Sequence, residues 1–272
     1  MYKFFIATTT ILIILASCEE VIDVDLNSSD PAFVVEAKIY KDSVSLVRLT
    51  RTTSYFSLEE PGFIEDAIIN ISDGTLMEEL NYTGIGYYTG AAIIGTEETT
   101  YEIEIIHDGI TYEAISYMPV KSDIISVRFG KSEAQGVLNP YGETVFTITC
   151  LFSDDPDTDN YYMVRYITGD GVLLERYYLL TEDDANSGSI NNINNGTISF
   201  SESIFYEGGE VEVQLFSIDE PVYNYFMQLT DILYWKRRVM PPTPYNPASN
   251  INNGALGYFA AWAYDSEIII LE

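Results

Sequence analysis

Residues 101–117 read YEIEIIHDGITYEAISY, and this stretch decides the fold class. Apolar and polar residues alternate on both sides of Asp108-Gly109, a pair that readily supplies the two positive φ angles of a type I′ turn. The pattern therefore predicts an antiparallel hairpin. Every second residue of a strand points to the same side, so one face is predicted to be apolar. That face holds Tyr101, Ile103, Ile105, Tyr112 and Ala114.

The opposite face of this hairpin places Glu104 across from Glu113, a like-charge pair that is tolerable only in water. One face is therefore expected in the core and the other in solvent. The single histidine, His107, flanks the turn. Because no second His or Cys is close in sequence, we interpret it as a turn residue rather than a ligand or a base.

The alternation continues outward from the hairpin through residues 31–120, in short runs separated by turn signals. This pattern is typical of an all-β sandwich, and we expect an Ig-like N-terminal domain here. Its first strand is predicted to bury Phe33, Val35, Ala37 and Ile39.

Residues 121–272 form a second β-rich region that contains one helical pattern at about residues 219–238. Pro221 falls in the predicted first turn, and Ser217 with Glu220 offers a capping box. Residues 236–238 are Lys-Arg-Arg, either pairing with the helix dipole and nearby acids or forming a small basic docking spot. The predicted fold is mainly β, with two β-sandwich-like domains, the second larger and carrying one inserted α-helix.

The charge balance excludes one class of partner. The chain has 42 acidic and 13 basic residues and a formal net charge of -29. Nucleic-acid binding depends on clustered Lys and Arg that release counterions, so this chain would repel a polyanion. We therefore expect no nucleic-acid partner.

The first 17 residues have the pattern of a secretory signal peptide, with Lys3 ahead of an apolar run that ends in Leu15-Ala16-Ser17. Cys18 follows at the cleavage position, which is how a bacterial lipoprotein begins. Acylation of Cys18 would bury several acyl chains at roughly 0.8 kcal/mol per CH₂ and anchor the chain to a lipid bilayer. Residues 18–30 are polar and acidic and are interpreted as a tether.

Three segments resemble a known family of Bacteroidetes outer-membrane lipoproteins, the domain of unknown function 4249. The first is CEEVIDVD at residues 18–25 with FVVEA at 33–37, and the second is FSDDP at 152–156 with NYY at 160–162. The third is NPASNI at 246–251 with GALGYF at 254–259. The resemblance implies a surface-facing lipoprotein of the outer membrane, accessory to a TonB-dependent receptor in nutrient uptake, and it implies no assigned activity.

A cluster of carboxylates follows the FS pair of the second segment. Oxygen-rich loops of this kind suit a hard cation such as Ca²⁺, but the segment lacks the spacing of an EF-hand. It therefore fits either a solvated turn in an acidic surface or a structural calcium site. The candidate ligands are Asp154, Asp155, Asp157 and Asp159.

No arrangement of nucleophile and base is recognisable. Cys150 lies on a predicted strand face with Phe146, Ile148 and Phe152, so we expect a buried core thiol rather than a reactive one. We therefore expect a non-catalytic binding protein without a cofactor, or alternatively an independent binder of a glycan or peptide. The 22 tyrosines are candidate binding residues. Because adjacent tyrosines on a strand lie on opposite faces, one of each pair is expected in the core, and fewer than half of the tyrosines can be exposed. The aromatic candidates are Tyr87-Tyr88, Tyr161-Tyr162, Tyr177-Tyr178, Trp235, Tyr245 and Tyr258.

Overall fold

The largest element of the fold is an eight-stranded sheet, seen in a computed structural model that describes residues 30–53, 60–131, 146–155, 158–169, 179–182, 195–202, 208–234 and 245–272. Its spatial order is β12 (Leu179–Glu182), β11 (Tyr161–Thr168), β14 (Glu210–Ile218), β15 (Leu256–Ile270), β1 (Phe33–Tyr40), β2 (Val44–Arg51), β6 (Tyr87–Ile94) and β5 (Asn81–Gly84). Neighbouring strands are antiparallel except for β1 and β15, which are parallel.

Two smaller sheets complete the β-structure of the described residues. The four-stranded sheet has the order β4 (Met77–Glu79), β3 (Ile68–Ser72), β7 (Thr99–His107) and β8 (Ile110–Met118). The three-stranded sheet has the order β13 (Asn195–Glu202), β10 (Phe146–Ser153) and β9 (Ile124–Lys131). Each packs against one face of the large sheet and closes a separate apolar core.

The predicted hairpin is β7 and β8, joined at Asp108 and Gly109 with φ angles of 53° and 75°. Its five predicted apolar residues all lie in the first core. Glu104 does pair with Glu113 across the strands, and each carboxylate accepts a hydrogen bond from an asparagine: Asn70 to Glu104 and Asn252 to Glu113. The four predicted residues of β1 are buried in the same core, at 0–6% exposure.

Strand β15 belongs to both sandwiches. Phe259 and Ala261 lie in the first core, whereas Ile269 and Leu271, at the end of the strand and just after it, pack in the second. Residues Pro31–Glu272 form one compact unit. Strand β15 lies in the second of the two domains predicted from the sequence, after residue 121, yet one face of this strand completes the cores of both sandwiches.

The described helix is α1 (Glu220–Tyr234), which packs on the outer face of the large sheet, away from the two sandwich cores. The predicted capping box is wrong. Asp219 caps the helix, since its Oδ1 accepts a hydrogen bond from Val222 N at 3.1 Å. Ser217 lies in β14 instead, and its hydroxyl oxygen accepts a bond from Ser122 N.

The predicted fold class is confirmed: the chain is mainly β, with two sandwich-like halves and a helix in the second. Several sequence predictions fall outside the described residues. These are the signal peptide at 1–17, Cys18 with the rest of the tether up to residue 29, and the basic residues 236–238. The candidate calcium ligand Asp157 also lies outside them. Tyr177, Tyr178 and Trp235 also lie outside them. Within the described part, no helix combines the length and the apolar composition needed to cross a membrane.

Candidate functional site

Three of the four predicted calcium ligands line one cavity of the described residues, which we call the acidic cavity. Asp154, Asp155 and Asp159 line a space of about 620 Å³ between the end of β10 and the start of α1. Asp154 Oδ1 accepts a hydrogen bond from the Tyr162 hydroxyl at 2.8 Å. The side-chain amide of Asn160 donates to the carbonyl oxygen of Asp155 at 2.9 Å, so the loop is fastened by its own hydrogen bonds.

Among the described residues, no three His, Cys, Asp or Glu side chains are grouped so that they could hold a metal ion. Asp157 lies outside those residues, so the calcium site stays a prediction. Lys121, which also lines this acidic cavity, is paired with Asp123 at 2.6 Å and Asp265 at 3.1 Å. The charge of Lys121 is therefore already neutralised by carboxylates of the protein.

The second cavity, of about 320 Å³, lies on the outer face of the large sheet beside α1. We call it the aromatic–basic cavity. Its volume is at the lower end of the usual range for small-molecule sites, about 300–1,000 Å³. The residues that line it are Glu36, Lys38, Tyr40, Leu46, Arg48, Tyr87, Arg165, Tyr225, Phe226, Leu229, Tyr258 and Trp262.

The sheet builds the floor of this cavity by register. Tyr87 pairs with Arg48, Arg48 with Glu36, and Glu36 with Tyr258, so these four residues form one row across β6, β2, β1 and β15. Alternation places them opposite the core-facing residues of the same strands. Lys38 in β1 and Arg48 in β2 therefore point outward because their neighbours in the same strands point into the core.

Aromatic rings form the wall next to the helix. Phe226 of α1 lies 5.0 Å from the ring of Tyr258 and 6.1 Å from that of Trp262. Tyr225 lies 5.1 Å from Tyr258, and Tyr40 of β1 lies 5.4 Å from Trp262. These centroid distances are those of packed aromatic pairs, so the wall is held in place before any ligand arrives.

Three cationic side chains line the same cavity. Arg48 lies over the ring of Tyr87 at 5.2 Å, and Arg165 lies over that of Phe216 at 4.3 Å. Lys38 Nζ is 5.9 Å from the ring of Tyr40. Cation–π contacts of this kind hold the cations in place and leave their charge uncancelled.

The tyrosine alternation predicted from sequence is confirmed where it is described. Tyr88 and Tyr162 are buried at 1% and 3% exposure, while their neighbours Tyr87 and Tyr161 are half-buried. Of the aromatic candidates, Tyr87 and Tyr258 line the aromatic–basic cavity, Tyr161 and Tyr162 line the acidic cavity, and Tyr245 is exposed.

Sequence reasoning missed Lys38, Arg48, Arg165 and Trp262. The signal that could have found the first two is the outward alternation of β1 and β2, where cations stand on the face opposite the core. Arg165 gives a weaker signal, because the alternation of β11 is interrupted by consecutive buried residues before it. Nothing in the sequence says that β11 and β15 share a sheet with β1.

His107 and Cys150 line neither cavity. The His107 ring stacks on Phe33 at 5.6 Å, and its Nε2 lies 3.1 Å from Arg51 Nη2. Cys150 is fully buried in the second core, and burial raises the pKa of its thiol to about 12. The prediction of a buried core thiol is confirmed.

The fold and the two cavities define a β-sandwich protein with a concave, aromatic-lined site. A family model described as "Domain of unknown function (DUF4249)" matches residues 19–268. The chain belongs to this family. No curated protein sequence matches it.

Two solved structures resemble the chain weakly. The FN1–FN3 domains of chicken CNTN1 align over 69% of this chain and 61% of their own length, with 11% identity and a TM-score of 0.26. Domains A168–A170 of titin align over 70% of this chain and 93% of their own, with 7% identity and a TM-score of 0.18. The chain thus spans less than two thirds of the CNTN1 fragment, and we base no inference about it on either structure.

Proposed function

We propose that this chain is a non-catalytic, lipid-anchored binding protein of the outer membrane, facing the cell surface and accessory to a TonB-dependent receptor in nutrient uptake. The observation that carries the binding function is the aromatic–basic cavity. It combines preformed aromatic walls with a few charged groups, the combination expected of a small-molecule site.

Anchoring is supported by the sequence around Cys18, where Leu-Ala-Ser precedes a cysteine at the end of a short apolar run. An acylated Cys18 would confine the protein to the membrane plane. Confinement raises its effective concentration near any receptor in the same membrane, so a weak contact would be enough for the two to act together.

The proposal of a non-catalytic role is supported by where the reactive groups lie. The chain has one histidine and two cysteines. His107 is packed on Phe33 beside Arg51, and Cys150 is closed inside a core. Neither stands where a bound ligand in the aromatic–basic cavity could be attacked.

The anchor is tested by feeding cells an alkyne-tagged palmitate and measuring label on the full chain. We expect label on the wild type and none on the C18S variant. The matched control is C150S, which removes the only other cysteine and should keep the label. Equal labelling of C18S and wild type would contradict the anchor.

Receptor partnership is tested by affinity purification of the tagged full chain from detergent-solubilised outer membranes. We expect a large TonB-dependent β-barrel in near-stoichiometric amount. Its consistent absence would contradict the accessory role. Protease treatment of intact cells tests surface exposure, since only a surface-facing protein would be cleaved without breaking the outer membrane.

The alternative function is a glycan- or peptide-binding lipoprotein that acts without a receptor. The tyrosines of the aromatic–basic cavity favour it, because they offer flat amphipathic faces to a ligand directly. Ligand binding by the chain, together with no co-purified receptor, would select this alternative.

A further inference from the structure

The aromatic–basic cavity holds positive charge in a chain whose net charge is -29. It collects three of the 13 basic residues, Lys38, Arg48 and Arg165, against one carboxylate, Glu36. Basic residues in so acidic a protein would be expected to pair with the abundant carboxylates. At this site most of them do not.

The salt bridges of the described residues involve neither Lys38 nor Arg165. Arg48 reaches Glu36 only at 3.8 Å, and Glu36 is exposed to solvent. Arg165 uses its Nε to donate to Gln214 Oε1 at 2.9 Å, which fixes the guanidinium and neutralises nothing. The cavity therefore keeps a local excess of positive charge.

The residues that line this cavity also contain hydrogen-bond donors that have no acceptor among the described residues. Two nitrogen donors in the cavity's lining residues, Trp262 Nε1 and Arg48 Nε, are buried and have no acceptor within the described part of the chain. Trp262 itself is only 2% exposed. Both atoms are closed off from the cavity as well as from solvent, so a ligand would depend on the outer donors of the Lys and Arg side chains, of which Arg48 is partly exposed.

The aromatic rings restrict the shape of that ligand. Tyr87, Tyr225 and Tyr258 are half-buried, so each exposes part of a flat ring to the cavity. A flat face with apolar C–H groups stacks on such rings, while acceptors on the ligand's rim meet the cations. Sugar rings have this combination, and a sugar carboxylate adds the matching charge for the Arg forks.

We propose that the aromatic–basic cavity binds a small acidic sugar, whose carboxylate is held by Lys38 and Arg48 and whose ring lies against the tyrosines, while Arg165 adds positive charge from the far end of the cavity. This inference rests on the proposed binding function and names its ligand class. Because the rest of the surface is strongly negative, selection for an anion has to come from the cavity itself.

The test is titration calorimetry of the full chain in detergent, with glucuronate, galacturonate and digalacturonate as probes at matched ionic strength. Glucose, galactose, benzoate and inorganic phosphate are the comparison ligands. We expect at least one acidic sugar to bind ten or more times more tightly than its neutral counterpart. Equal binding of the neutral sugar, or tighter binding of benzoate or phosphate, would overturn the assignment.

Variants locate the site. K38M should weaken binding of the acidic sugar by roughly 10–100-fold, the loss expected for one charged hydrogen bond, whereas R165Q, which removes a more distant charge, should weaken it by less than about tenfold. The matched control is R128Q, since Arg128 is exposed on β9 and does not line the cavity. R165Q also loses the bond to Gln214, so K38M, whose Nζ makes no ion pair, is the decisive variant and its melting temperature is measured alongside. Unchanged binding in K38M would overturn the proposal.

The outcomes separate the two proposals. A receptor that co-purifies with the chain, while no acidic sugar binds, overturns this inference and leaves the accessory role standing. Binding that is lost in K38M and kept in R128Q supports the inference even if no receptor is recovered.

Discussion

The hydroxyl of Ser116 in β8 donates a hydrogen bond to Asp219 Oδ2, at the start of α1, over 2.8 Å. The same oxygen accepts a bond from Tyr117 N at 2.8 Å, and Ser116 Oγ in turn accepts one from Ala261 N of β15. Asp219 thus joins the helix, the edge of the four-stranded sheet and the strand common to both sandwiches.

Replacing Asp219 with alanine should destabilise the protein by about 2–3 kcal/mol, the sum of a lost helix cap and newly unpaired buried donors. Chemical denaturation of wild type and D219A measures this. E220A is the matched control, because Glu220 is the exposed first residue of α1 and should change stability by less than about 1 kcal/mol. Equal effects of the two substitutions would show that the Asp219 network contributes little.

The Asp219 carboxyl should also give a pH signature. Burial raises its pKa above the ordinary value of 3.8, although the bonds from Ser116, Tyr117 and Val222 oppose this. A raised folded pKa means that the native state binds the proton more tightly, so this contribution is present at low pH and lost as pH rises through the folded pKa. Relative to D219N, the wild type should therefore gain stability between pH 7 and pH 4. A difference that does not change with pH would contradict this.

Gly257 provides a second prediction, from backbone geometry. It has a φ of +94°, and a Cβ built on it would lie 1.9 Å from the carbonyl oxygen of Val35 in the paired strand β1. Backbone cannot move aside cheaply at the centre of a sheet, so G257A should cost roughly 3 kcal/mol or more. Gly254 is the matched control: its φ is +78° but nothing lies within 4 Å, so G254A should cost only about 1 kcal/mol. Thermal denaturation of both variants distinguishes steric contact from φ strain alone.

Local patterns in the sequence were enough to predict the strand faces. The inward residues of β1, the hairpin at Asp108-Gly109 and the burial of one tyrosine in each described pair all follow from alternation within one strand. These features depend only on neighbours a few residues away.

Long-range pairing could not be predicted in the same way. The parallel register of β1 and β15 joins residues 34–40 to residues 256–262, and no turn or spacing signal connects them. The cavity was missed for that reason: its cations stand singly on β1, β2 and β11, and only the sheet brings them together. The capping box failed because Ser217 continues β14, so that the nearer Asp219 became the cap.

Glu78 gives a third prediction, at the contact between two sheets. Its carboxylate accepts hydrogen bonds from the backbone N–H groups of Ala91, Ala92 and Ile93, at 3.0, 2.7 and 3.0 Å. Burial alone would raise the pKa of Glu78, but these three donors outweigh it and the pKa lies below its ordinary value of 4.5. The charged form is therefore the one that the fold stabilises.

A lowered folded pKa gives stability that is present above the unfolded pKa and is lost as pH falls through the folded one. E78Q should lose about 1–2 kcal/mol at pH 7, because an amide has one acceptor oxygen where the carboxylate has two. The difference between wild type and E78Q should shrink below pH 4.5. E79Q, at an exposed neighbouring position of β4, is the control and should leave stability within about 0.5 kcal/mol. A constant difference down to pH 3 would rule out the carboxylate as its source.

Cys150 gives the fourth prediction, a kinetic one. Burial, and secondarily the charges of Glu267 and Asp265, raise the pKa of its thiol to about 12. Because the thiolate is the reactive form and a free cysteine has a pKa near 8.5, native Cys150 should react with a disulfide reagent at pH 8 about a thousandfold more slowly than a free thiol. The measurement uses the C18S variant, in which Cys150 is the only thiol left. Unfolding in guanidinium should restore the ordinary rate, and fast labelling of the native protein would mean that the second core opens far more readily than its complete burial implies.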